Sequence, residues 1–175
     1  MIDFENKVLI ERPRQEVFDF VSNFENVPKW NYFVTSVRKV NEVPLGVGAR
    51  FHQIRKTDQQ QFEIIEFERP DKVVVKTLAG SSPQFTMTFE FEASGDQTWL
   101  TDTWQLEAGY NPLLEMLGKA KIKVAVAENL SKLKQLMETR QTQLQDGRRI
   151  GLTLRREVVS SLQERCLATL SCPSS

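Results

Sequence analysis

The chain opens on an alternation: Ile2, Phe4, Val8 and Ile10 share one side of an extended segment and Asp3, Glu5 and Lys7 the other, with Asn6 the polar exception in the apolar phase. A period of two predicts a half-buried strand. The period then changes. Pro13 can open a helical turn, because the N–H it lacks would have no partner there. Val17, Phe18 and Val21 follow at the i, i+3, i+4 spacing of a helix buried on one face. Asn23, Asn26 and Pro28 break that pattern and predict two short helices rather than one.

Strand signals resume at about 33–42, 47–57, 60–68, 72–79, 83–92 and 97–107, separated by the turn-rich pieces "PLGVG", "KTDQQQ", "ERPDK", "GSSP" and "SGDQ". The cleanest is "FTMTFEFEA", which puts Phe85, Met87, Phe89 and Phe91 on one face and Thr86, Thr88 and Glu90 on the other. From Pro112 to about Gln145 the period becomes 3.6: Leu113, Leu117, Val124, Leu130, Leu133, Leu136 and Met137 form an apolar stripe, with Lys119, Lys121, Lys123 and Lys132 on the solvated side. No proline interrupts this run, which predicts one long helix, with Gly147 placed to cap its C-terminus. The order strand, two short helices, six strands, long helix predicts an α+β fold: an antiparallel sheet with helices on one face. One helix cannot cover seven strands, so the short pair after the first strand is expected to plug the remaining end. Its aromatics, Trp30 and Tyr32 among them, are either core or the mouth of a space between sheet and helix.

Composition narrows the setting. Lysine plus arginine equal aspartate plus glutamate at 23 each, so no net field draws the chain to nucleic acid or to an anionic membrane. No apolar run approaches the ~18 residues of a membrane span, and the acidic start "MIDFENKVLI" lacks the basic flank of a signal peptide. The two cysteines, Cys166 and Cys172, are no disulfide framework. These features predict a cytoplasmic protein with no stable membrane insertion and no nucleic-acid partner.

The segment "VLIERPRQEVFDFVSNFENVPKWNYFVTSVRKV", followed in order by "GVGARFHQIRK", "FEIIEFERPDKVVVKT" and "VAENLSKLKQLMET", resembles the START-like, Bet v 1-like superfamily (SRPBCC), which includes polyketide cyclase/dehydrase and lipid-transport proteins. The signal is the ordered set, across about residues 2–145. It implies a helix-grip domain over residues 1–146: a curved seven-stranded antiparallel sheet around a long C-terminal helix, enclosing an apolar cavity. It also implies a hydrophobic small-molecule partner such as a lipid, isoprenoid or polyketide. Two alternatives stay open. One is a cyclase/aromatase-type enzyme working through polar cavity residues, and the other is a partner-binding regulatory protein with a vestigial cavity.

The chemistry available is sparse. His52 is the single histidine, which excludes two-histidine metal sites; there is no nucleophile elbow and no phosphate-binding glycine pattern, and nothing asks for a metal or cofactor. In "TWLTDTWQL" the phase of Leu100, Trp104 and Leu106 also carries Asp102. If that phase is inward, Asp102 lies among apolar groups that disfavour its charge; in the opposite register Trp99, Thr101 and Thr103 face in and Asp102 is solvated. In "ARFHQIRK" either Phe51, Gln53 and Arg55 or Arg50, His52 and Ile54 face inward, and periodicity does not choose. Asp102, His52 and Arg55 are therefore the candidates for proton transfer. Trp30, Tyr32, Phe85, Met87, Phe89, Phe91, Leu100, Trp104 and Asn6 are the candidates for ligand contact.

Beyond the resemblance lies an extension, residues 147–175. There Val158, Leu162, Cys166 and Leu170 recur every fourth position, and arginines 148, 149, 155, 156 and 165 outnumber glutamates 157 and 164. This predicts an amphipathic helix over about 155–170. A stripe with no place on a completed helix-grip domain points to pairing with a second copy; the alternative is a tail packed on its own domain or poorly ordered.

Overall fold

The computed structural model of the chain describes residues 2–107 and 112–153. Seven strands form one antiparallel sheet: β1 (Ile2–Ile10), β2 (Val34–Lys39), β3 (Arg50–Arg55), β4 (Gln59–Glu68), β5 (Lys72–Thr77), β6 (Gln84–Ser94) and β7 (Gln97–Glu107). Their spatial order is β1-β7-β6-β5-β4-β3-β2, so the first strand crosses to pair with the last and the others follow as a meander. Register irregularities at Val34/Ser36 and Ile64/Glu66 break the ladders between β2 and β3 and between β4 and β5. Such bulges bend the bulged strand and increase its twist, which lets the sheet curl.

The alternation read from sequence is the alternation observed on β6, where Phe85, Met87, Phe89 and Phe91 are all buried. On β7 the inward phase is Thr98, Leu100, Asp102 and Leu106, all buried, with Trp104 half-buried among them. Trp99 faces out, with the Lys7 ammonium 5.1 Å from the centre of its ring.

Between β1 and β2 stand α1 (Arg14–Ser22), preceded by Pro13, and a 3-10 helix (Phe24–Lys29). The Asn23 side chain accepts a hydrogen bond from the Glu25 N–H at 3.3 Å and so separates the two. They plug one end of the curl through aromatic contacts. Phe18 of α1 meets Phe67 and Phe91 edge-on at 5.3 and 5.1 Å, and Phe24 meets Phe51 and Phe62 at 5.4 and 5.2 Å.

The long helix, α2 (Pro112–Thr139), crosses the concave face. Its C-terminal half buries Leu130, Leu133, Leu136 and Met137. It is tied to the β1 end by Lys134 Nζ donating to the Leu9 carbonyl at 2.7 Å, by the Glu11 N–H donating to Glu138 Oε1 at 2.8 Å, and by Arg12 Nη2 donating to the Glu138 carbonyl at 2.6 Å. Two expectations about this helix are corrected. Val124 does not belong to the buried stripe and is 58% exposed. The inward set is Ile122, Val126, Asn129 and Leu133, spaced by three or four residues, which turns Val124 to the opposite side. Nor does the helix run to 145 with Gly147 as its cap. It ends at Thr139, and Arg140 takes the left-handed conformation (φ 63°). The chain then folds back as a hairpin of β8 (Gln141–Gln143) and β9 (Arg149–Gly151), with Gly147 (φ 86°) between the strands. Thr142 Oγ1 donates to Gln135 Oε1 at 2.7 Å and Leu144 is buried, so the hairpin packs back on the helix and crosses position 146/147. The expected helix at 155–170, and pairing through it, lie outside the described residues.

Candidate functional site

A cavity of about 280 Å³ separates the concave face of the sheet from the middle of α2. Its floor comes from adjacent strands whose registers bring Met87 beside Trp104, Phe89 beside Asp102 and Phe85 beside Leu106, with Val75 next to Met87 on the other side. Gln60 and Phe62 of β4 extend the floor, and Val27 and Trp30 at the end of the 3-10 helix close one wall. Ile122, Ala125, Val126 and Asn129 of α2 form the roof, and Asn31, Phe33, Gln53 and Arg55 the rest of the lining. Phe33 and Ile122 are partly exposed, at 37% and 36%, which places them where the cavity meets solvent.

Among these walls one carboxyl is buried. Asp102 is 2% exposed, and its Oδ2 accepts from Trp104 Nε1 at 2.9 Å while its Oδ1 has no partner. Trp104 is held for that role between Phe4, stacked at 6.2 Å, and Phe85 at 5.0 Å. Removal from water pushes the Asp102 carboxyl up from 3.8 to about 7, and the hydrogen bond from Trp104 only partly opposes this. Both protonation states are therefore within reach at neutral pH. Two further buried atoms on lining residues lack partners, Gln60 Oε1 and Trp30 Nε1.

The residues singled out from sequence divide into two groups. Trp30, Phe85, Met87, Phe89, Trp104, Asp102 and Arg55 line the cavity. Arg55 stands there with its guanidinium engaged, Nε and Nη2 donating to Asp58 Oδ1 and Oδ2 at 2.7 and 2.6 Å. The other five lie off it. His52 is in the outward phase of β3, with Nε2 3.1 Å from Gln59 Oε1. Tyr32 packs on Phe33 at 3.9 Å under the Lys56 ammonium. Phe91 belongs to the α1 plug and Leu100 is core with no exposure. Asn6 sits opposite Asp102 in the β1–β7 ladder, but its Nδ2 donates to the Lys123 carbonyl of α2 at 3.4 Å. Conversely, Gln60 and Asn129 line the cavity without having been singled out. The signal for Gln60 was present, since it shares the phase of Phe62 and Ile64; for Asn129 it was the i+3 step from Val126.

Among the described residues no three His, Cys, Asp or Glu side chains are grouped to hold a metal ion, and no helix is long and apolar enough to cross a membrane. The model of the family described as polyketide cyclase / dehydrase and lipid transport matches residues 1–138. The chain belongs to that family. The architecture is the helix-grip fold of SRPBCC, Bet v 1-like proteins. Solved structures agree on the fold. TTHA0849 of Thermus thermophilus is 17% identical with a TM-score of 0.63, over 76% of this chain and 94% of that one. The di-domain ARO/CYC BexL of the BE-7585A biosynthetic pathway is 16% identical with a TM-score of 0.63, over 77% of this chain and 45% of that one. The Aha1 dimer from Colwellia psychrerythraea is 15% identical with a TM-score of 0.58, over 79% and 97%. No curated protein sequence matches the chain. At these identities the solved structures speak for the fold, and the family carries the binding of hydrophobic ligands in general terms.

Proposed function

We propose that this protein binds a compact, largely apolar small molecule between the sheet and α2 and orients it through the carboxyl of Asp102. The observation that carries this reading is the lining: aromatic and aliphatic side chains on every wall around one buried acid. A mostly apolar site with a few placed polar groups is the usual form of a small-molecule pocket. About 280 Å³ is at the small end of the ~300–1,000 Å³ typical of such sites, which favours a ligand of ring size over a long acyl chain. Burying roughly 200 Å² of apolar ligand surface contributes about 5 kcal/mol. The freedom lost on association consumes much of that, so affinity depends on the polar anchor.

Native mass spectrometry of full-length protein, purified without detergent and then incubated with aromatic alcohols and amines, tests the reading. A one-to-one complex that the cavity-filling Met87→Trp variant fails to form supports it. Protein that neither retains nor takes up any such molecule overturns it.

Asp102 also favours a second reading, general acid–base catalysis within the cavity. A carboxyl raised to about 7 is matched to proton transfer at neutral pH, and its free Oδ1 is the atom that would move the proton. Turnover of a bound ligand that Asp102→Asn abolishes, with binding retained, is what this reading requires; turnover undiminished in that variant excludes it.

A further inference from the structure

The cavity is charge-asymmetric in a way that bears on which molecule it accepts. Of the three unpartnered buried side-chain atoms among the described residues, two, Asp102 Oδ1 and Gln60 Oε1, are acceptors. The orientation of Gln60 is fixed by its neighbours, because Nε2 donates to the Ser82 and Pro83 carbonyls at 3.1 and 3.4 Å; carbonyls accept only, so the amide oxygen must point the other way. Asp102 has no lysine or arginine partner among the described residues. The cavity's own arginine, Arg55, is held bidentately by Asp58. Two aromatic rings adjoin Asp102: Phe89 is opposite it in the ladder, and Trp104, backed by Phe85, donates to its Oδ2. Faces of such rings attract cations. A buried acid with one free oxygen, a second acceptor and aromatic walls, uncompensated by any cation among the described residues, is complementary to positive charge.

We infer that the cavity selects a compact apolar molecule bearing a protonated amine, with the ammonium against Asp102 Oδ1 and the apolar body over Met87, Val75 and Phe62. The inference rests on the binding reading above and adds the ligand's charge to it. A carboxylate ligand would be repelled by the ionised Asp102 and would meet a second acceptor at Gln60; only the protonated form of Asp102 could donate to it. Trp30 Nε1, the one unpartnered buried donor among the described residues, suits an ether, carbonyl or hydroxyl oxygen elsewhere on the same molecule. β7 and β4 are three strand spacings apart, about 14 Å along the sheet. The Asp102 and Gln60 acceptors therefore address different parts of a ligand, and the amine belongs at the Asp102 end.

Calorimetric titration of the full chain at pH ~7.5 with 2-naphthylmethylamine, 2-naphthylmethanol and 2-naphthoate holds the ring constant and changes only the end group. A hydrogen bond to a charged group contributes ~1.5–3 kcal/mol, so the amine should bind roughly tenfold or more tighter than the alcohol, and the carboxylate weakest. Asp102→Asn keeps an acceptor for Trp104 and should bring the amine down to the affinity of the alcohol; Glu90→Gln, on the outer face of β6, should leave the ranking unchanged. An alcohol or carboxylate that equals the amine, or an amine preference that survives in Asp102→Asn, overturns the charge assignment while leaving the binding reading standing. Failure of all three probes to bind the wild-type protein overturns both. The wild-type ranking decides the matter even if the variant does not fold.

Discussion

Replacing Asp102 by asparagine should change how stability depends on pH, by an amount the structure sets. The folded-state value, about 7, lies above the ordinary 3.8, so folding favours the protonated carboxyl. Below about pH 4 both folded and unfolded chains carry the proton and the contribution to stability is complete. As pH rises the unfolded chain loses its proton first, and the contribution declines until the folded group also ionises near 7; above that it is lost. At ~1.4 kcal/mol per pKa unit the interval corresponds to about 4 kcal/mol. The side chain is 2% exposed, so solvent screening takes little from that figure. The assay is urea denaturation of wild type and Asp102→Asn at closely spaced pH from 4 to 8.5. Subtracting the two curves cancels every other titrating group. The difference should fall by about 4 kcal/mol in favour of the variant between pH 4 and 7.5 and then level off. At ~2 kcal/mol per molar this is a relative midpoint shift of about 2 M. A flat difference curve, or one that rises with pH, would refute the claim that burial dominates at Asp102.

Two other changes probe the neighbouring structure. Trp104→Phe removes the hydrogen bond that stabilises the charged carboxyl, so the Asp102 titration, followed by carbon NMR of its carboxyl, should move above about 7; an unchanged or lower midpoint would show that Trp104 does not hold Asp102. Phe18→Ala hollows the plug between Phe67 and Phe91 and should cost about 3–5 kcal/mol by urea denaturation without altering ligand affinity; a cost below ~1 kcal/mol would mean that α1 is not part of the core.

Much of this was legible in the chain because local pattern and global fold agree. The strict alternation through Phe85, Met87, Phe89 and Phe91 could be read only as a strand with one buried face, and the pair of short helices needed only Pro13, Asn23 and Pro28. Asp102 was ambiguous because "TWLTDTWQL" offers a tryptophan to each face. The choice is made by β1, ninety-odd residues away in sequence, whose Phe4 stacks on Trp104 and whose Lys7 covers Trp99. The register of β7 against β6 agrees, setting Asp102 opposite the buried Phe89. His52 and Gln53 pose the same problem on β3, and the answer comes from Phe51 meeting the 3-10 helix. The end of α2 was misplaced because Gly147 is the obvious helix stop, whereas Arg140 reverses the chain without a glycine to announce it. Gln60 was passed over because nothing in a polar side chain's identity says that its amide will be spent on a neighbouring loop.

The binding claim itself is tested most directly by where a ligand sits. Intermolecular NMR contacts between 2-naphthylmethylamine, or the corresponding alcohol, and methyl-labelled protein locate the ring. Cross-peaks from the ring to Met87, Val75 and Val126, saturating together at one equivalent, are what the cavity predicts. Cross-peaks confined to exposed methyls such as Val47 and Val124, or none at saturation, would contradict it.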